Sequence, residues 1–247
     1  MNTMQENIYI FYILLFLIAF LYASVGHGGA SGYLAIMAIF SFSPDIMKPS
    51  ALLLNLFVSL TSFIQFYRGK HFIWKIFWPL ALASVPFAFL GGLINFNGDI
   101  YKTILGVLLL IPAARFLFFP NVEITSIHKT NIPLSLLIGA SIGFLSGLIG
   151  IGGGILLSPV LLLLHWTNQK QTAAISALFI FVNSVSGLAG QLSKGIHFNS
   201  EMFLFCGIAF AGGLAGAYLG ALQFKQSILK NILAIVLLMA AIKLIKI

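Results

Sequence analysis

The sequence predicts an all-α integral membrane protein made of two inverted repeats, each a glycine-broken first helical pair followed by three transmembrane helices. Three observations predict this. Of 247 residues, 60% are hydrophobic and 7% charged, whereas a soluble domain carries roughly 25% charged residues, and the mean hydropathy is +1.06. Apolar runs recur along the whole length, leaving no stretch for a soluble domain, so 1–247 reads as one membrane domain. A glycine cluster in the second half, Gly147 to Gly154, has a counterpart in the first, Gly26-His27-Gly28-Gly29. Gly26, Gly28 and Gly29 each lie 124 residues before Gly150, Gly152 and Gly153.

In chain order, apolar segments run from about Ile8 to Val25, Ala30 to Phe42, Ala51 to Tyr67, Phe72 to Ile94 and Ile100 to Phe119. The second half repeats the series from about Ile132 to Ile149, Ile155 to Trp166, Thr172 to Leu192, Met202 to Leu222 and Ile228 to Ile247. Repeat 1 is thus about 8–119 and repeat 2 about 132–247. Met1 to Asn7 contains Glu6 and no base, so the first run lacks the basic flank of a secretory signal and reads as a retained span. A spanning helix needs about 20 residues, and the pieces beside each glycine cluster are short. They form either two full spans or a re-entrant hairpin, and both readings leave the chain on the same side.

The duplication extends beyond the glycines. At an offset of 126, Ser50-Ala51-Leu52 matches Ser176-Ala177-Leu178, Gln65 matches Gln191, Gly69 matches Gly195, and His71-Phe72 matches His197-Phe198. At 128, Lys102 falls on Lys230 and Arg115 on Lys243. With an odd number of crossings in each repeat, the halves enter the membrane from opposite faces, as in many secondary transporters. The 13 bases and five acids give a net charge of +8, and the bases lie mainly between apolar runs, so topology explains the excess and no nucleic-acid partner is expected. Placing Arg68, Lys70, Lys75, Arg115, Lys129, Lys170, Lys225 and Lys230 inside leaves Lys48, Lys102, Lys194, Lys243 and Lys246 outside, with both termini outside.

The second-half signature Gly143-Phe144-Leu145-Ser146-Gly147-Leu148-Ile149-Gly150-Ile151-Gly152-Gly153-Gly154, with Pro159 and Thr172-Ala173-Ala174 after it, resembles that of the TauE/SafE family of sulfite exporter-like membrane transporters. The resemblance covers nearly the whole chain. The first copy departs from the pattern, with His27 and Ala30 where the family favours an apolar residue and a third glycine. The resemblance implies transport of small anions, sulfite or organosulfonates among them, without an ATP-hydrolysing domain.

Glycine-rich runs have two uses in a membrane. Gly139, Gly143 and Gly147 are four apart, as are Gly212, Gly216 and Gly220, a spacing that lets helices pack closely. The clusters at Gly26, Gly28 and Gly29 and at Gly150, Gly152, Gly153 and Gly154 instead break helices, which lipid tolerates only where protein covers the break or it lines a cavity. A broken helix presents free backbone N–H groups and a positive dipole end to an anion. The candidate substrate site is therefore the two clusters with His27, lined by Asn55, Asn183, Ser50 and Ser176. The polar faces Asn55-Ser59-Ser62 and Asn183-Ser186-Gly190, with Gln191 close by, serve either interhelical bonding or the substrate path. His27 either carries charge or a proton, or bonds a freed carbonyl. Arg115 and Lys243 sit at equivalent helix ends, where long bases snorkel or steer an anion.

Other chemistries lack their residues. No HExxH, Walker A, paired carboxylates or Ser-His arrangement appears in the spans, the glycines sit in no βαβ unit, and the single cysteine, Cys206, has no partner and reads as core. The expectation is a secondary transporter, exporting small anions such as sulfite or organosulfonates across the cytoplasmic (inner) membrane by alternating access. The alternatives are transport of another small anion such as a carboxylate, a channel, or a non-transporting scaffold or receptor. No cofactor or metal is expected, the partners are a small anionic substrate and the lipid bilayer, and a homo-oligomer is left open.

Overall fold

The structure, a computed structural model, describes residues 2–24, 28–118, 128–196, 198–223 and 226–245. Among them ten helices follow one another: α1 (Asn2–Ser24), α2 (Ala30–Ile39), α3 (Pro44–Arg68), α4 (Trp74–Leu93), α5 (Gly98–Phe118), α6 (Ile132–Ile149), α7 (Gly154–Leu163), α8 (Gln169–Leu192), α9 (Ser200–Gln223) and α10 (Gln226–Ile245). There is no strand among the described residues, and the fold is that of an all-helical membrane protein. Helices α3, α4, α6, α8 and most of α9 are long and apolar enough to cross a bilayer. Leu137 and Trp74 are 65% and 62% exposed on the outside of the bundle, which suits a lipid-facing surface.

Helices α2 and α7 have ten residues each, about 15 Å or half a bilayer core. Each glycine cluster thus joins a long helix to a half-length one. The first pair is an antiparallel hairpin: the Tyr22 and Ser31 hydroxyls bond at 2.7 Å, Gly32 lies against Ile18 and Tyr22, and the Phe11 ring meets Phe40 and Phe42 at 5.4 and 4.9 Å between centroids. The re-entrant reading fits this geometry. The second pair is more splayed, with α7 leaning on α8.

Several helices start earlier than their apolar runs, and two of these starts bear on the site. Helix α3 begins at Pro44 and not Ala51, because proline suits a first turn where its missing N–H is no loss. Helix α8 begins at Gln169 and not Thr172, because Asn168 and Gln171 close a reciprocal capping box. Ser50 and Ser176 therefore lie inside their helices. The early start of α3 also carries Lys48 out of the expected outer loop and onto a helix, where it is 5% exposed.

Helix α4 against α6 and α1 against α9 form the most extensive seams. Gly139, Gly143 and Gly147 rest on the backbone of Leu80, Ser84 and Ala88, while Gly212 and Gly216 rest on the carbonyls of Phe16 and Phe20. Both stripes are packing surfaces, as their spacing suggested; the surroundings of Gly220 lie outside the described residues. The residue numbers rise together, so both seams are parallel. Helices α3 and α8 cross antiparallel, Asn55 opposite Ser184 and Leu52 opposite Gly187. Exchanging the first five helices for the last five preserves the pattern: α4 on α6 becomes α9 on α1, α4 on α8 becomes α9 on α3, and α3–α8 and α5–α10 map onto themselves. Phe11, Tyr22, Tyr33, Phe179 and Phe205 fill the core, with Cys206 buried and unpaired beside them.

Candidate substrate site between the glycine breaks

The two breaks meet at mid-height of α3 and α8. A Cβ on Gly28 would stand 3.0 Å from Asn55 Oδ1 and 2.9 Å from the Ile180 γ-methyl. One on Gly152 would stand 2.5 Å from Asn55 Nδ2, 2.9 Å from the same Ile180 methyl and 3.1 Å from Ser184 Oγ. Asn55 thus lies between the clusters. Its Nδ2 donates to Ile151 O at 3.4 Å and to Ser184 Oγ at 3.3 Å, while Oδ1 is buried without a partner.

Glycine is required on the second break because Gly150, Gly152 and Gly153 have φ of 90°, 77° and 77°, the left-handed region that costs other residues roughly 1–2 kcal/mol. On the first, Gly29 has φ 92°. Gly29 and Gly153 are the N-caps of α2 and α7, and neither helix start has a side-chain cap. Two helix N-termini without a side-chain cap, each with a positive dipole end, therefore follow directly on the two glycines that meet at Asn55.

Ser176 lies beside α7, with its Oγ 2.9 Å from Ser158 Oγ and its carbonyl close to Gly154. Asn183 turns its Nδ2 onto Phe179 O of its own helix at 2.8 Å, and its Oδ1, like Ser50 Oγ, is buried and unpaired. Gly150 packs on Lys48, Gly153 on Ile142 and Phe179, and Gly29 on the Tyr33 ring. Gly26, His27 and His197 lie outside the described residues, as does the side chain of Arg115. Lys243 donates to Ile39 O at 2.5 Å and to Ser41 Oγ at 3.0 Å, capping the end of α2.

Sequence reasoning missed several residues at this junction. Ser184, and not its neighbour Asn183, faces Asn55; Ile180 separates the breaks; Tyr33 and Ser146 each bury an unpaired hydroxyl near them. Tyr101 donates to Ile149 O at 2.8 Å, tying α5 to the end of α6 just before the second break. The signal for the tyrosines and serines was a hydroxyl in an apolar helix, which by itself does not distinguish a site from a packing bond.

Helix breaks that meet on a buried amide inside a bundle of apolar helices, each opening a half-length helix, define a multi-pass membrane protein of the transporter class. Residues 11–244 match the family described as Sulfite exporter TauE/SafE, and the chain belongs to that family. It is 36% identical over 236 residues to the probable membrane transporter protein y4hK of Sinorhizobium fredii, covering 94% of this chain and 96% of the relative. Two Bacillus subtilis proteins, the probable membrane transporter proteins YunE and YjnA, are each 26% identical. The first match covers 82% of this chain and 81% of the relative, the second 89% and 92%. No solved structure matches the chain. The protein is a membrane transporter.

Proposed function

We propose that the protein is a secondary transporter, working as an exporter, that moves a small anion such as sulfite or an organosulfonate across the cytoplasmic membrane. It works by alternating access between two inverted repeats, about 8–119 and 132–247, within a single membrane domain. The observation that carries this is the meeting on Asn55 of Gly28 and Gly152, each one residue ahead of the N-cap of a half-length helix that has no side-chain cap. Two positive helix ends at one point attract an anion with no fixed side-chain charge to desolvate, and the free N–H groups match oxyanion oxygens. The antiparallel α3–α8 crossing and the exchange-symmetric packing support inversion, and rocking one repeat on the other then opens the site to each face in turn.

The test is counterflow in proteoliposomes loaded with sulfite, sulfoacetate, sulfate or lactate, following uptake of labelled sulfite with and without a pH gradient. Stimulation by one internal anion identifies a carrier and its substrate class; stimulation by lactate alone moves the substrate to carboxylates. Asn55→Leu should bring the exchange close to background. A flux that neither saturates nor shows counterflow would indicate a channel. Binding without flux would indicate a receptor or scaffold.

A further inference from the structure

We infer that Lys48 and Gln191 form a second anion seat, a vestibule at the end of the α3–α8 crossing where α3 begins and α8 finishes. Lys48, Gln191, Tyr101, Leu148 and Ile94 line a half-open cleft with a cavity volume of about 20 Å³, room for one oxygen-sized group. Gln191 is fully buried, and both its amide oxygen and its amide nitrogen lack a partner. A buried primary amide with neither end bonded is a costly arrangement unless something else occupies the cleft. Lys48 is 5% exposed and its ammonium donates to Ile94 O at 3.1 Å, using one of three donors. A cation with donors to spare beside an amide N–H suits an anionic oxygen, with the rest of the anion in the open mouth.

The place of this seat relative to the breaks gives it a use. The Lys48 backbone packs against Gly150, the first residue of the second break, and Asn55 follows Lys48 by two turns of α3, about 10 Å along the axis. Leu52, fully buried between them, packs on Gly187. The vestibule therefore lies on the approach to the junction of the breaks, with an apolar layer between. The matching end of the crossing differs: 126 residues on from Lys48 stands Ala174, and 126 before Gln191 stands Gln65, which is exposed. The seat thus belongs to one face only. Asp45, exposed one turn before Lys48, also lines the mouth and partly offsets the lysine charge at the rim. As a waiting site for the transported anion the vestibule rests on the function proposed above; as an anion seat it does not.

The test needs no transport. In a Cys206→Ala background, Gln191→Cys is reacted with an anionic sulfonatoethyl and a cationic trimethylammonioethyl methanethiosulfonate, from each face of reconstituted vesicles. The anionic reagent should be favoured from one face, the ratio of the two rates should fall about tenfold when Lys48 is also changed to Gln, and Asp45→Asn should raise it. Ile196→Cys, on the same cleft wall with Gln191 intact, reports the same ratio if the first variant does not fold. There, sulfate should slow both reagents when Lys48 is present and neither when it is Gln. A ratio unmoved by Lys48→Gln, or no reaction at either position from either face, overturns the seat. Charge preference without counterflow by any anion would keep the seat and remove the proposed function.

Discussion

The first break reverses the chain with Gly29 as its described glycine at positive φ, whereas the second uses Gly150, Gly152 and Gly153. Around the first, side chains hold the geometry: Tyr22 bonds Ser31 and the Tyr33 ring covers Gly29. At the positions 124 residues on from Tyr22, Ser31 and Tyr33 the second break has Ser146, Ile155 and Leu157, and its backbone is instead bonded from outside. Asn55 reaches Ile151 O and Tyr101 reaches Ile149 O, both from the first half. The second break is thus a backbone device whose shape depends on glycine and on the first half of the chain. The described part of the first break, from Gly28 on, is braced by side chains with an antiparallel hairpin behind it, and there it should tolerate more.

The largest effect that separates them is Gly152→Ala. It combines a left-handed φ, costing roughly 1–2 kcal/mol, with a Cβ 2.5 Å from Asn55 Nδ2, where overpacking costs about 1–3 kcal/mol more. The purified variant should melt well below the native protein in detergent, and counterflow should be lost. Gly28→Ala is the matched change on the first side. A Cβ there meets only the ends of the Ile180 and Asn55 side chains, an overpacking cost near the lower end of about 1–3 kcal/mol. This variant should fold and transport weakly. Equal melting temperatures for the two would break the comparison.

The smallest effect sharpens it. Tyr33→Phe and Ser146→Ala each delete a buried, unpaired hydroxyl beside one break, and removing an unsatisfied group should leave stability unchanged or raise it by roughly 1 kcal/mol. If both hydroxyls serve the anion, exchange rates should fall in both variants while the melting temperatures hold. A rate that falls only for Tyr33→Phe would locate the side-chain contacts to substrate on the first break.

Much of the fold was legible because its signals are local. Glycines four apart announced close helix seams, adjacent glycines announced breaks, and the Asn55 face announced a buried polar strip that is indeed buried at Asn55, Ser59 and Ser62. The site was only partly legible. Asn183 carries the stronger polar signal, yet its amide bonds its own helix and the neighbouring serine, Ser184, meets Asn55, because the rotation of α8 against α3 decides which residue faces the crossing. Lys48 read as a loop base because hydropathy is blind to a cap: Pro44 starts the helix and draws the lysine inside.

The sequence by itself determined the solvent and the positions of the breaks, since composition and glycine preference act over a few residues at a time. The tertiary structure alone decided that the breaks meet on Asn55 and Ile180, and that Lys48 and Gln191 share a cleft. These depend on the antiparallel crossing of α3 and α8, where side chains more than a hundred residues apart in sequence are brought into register by packing.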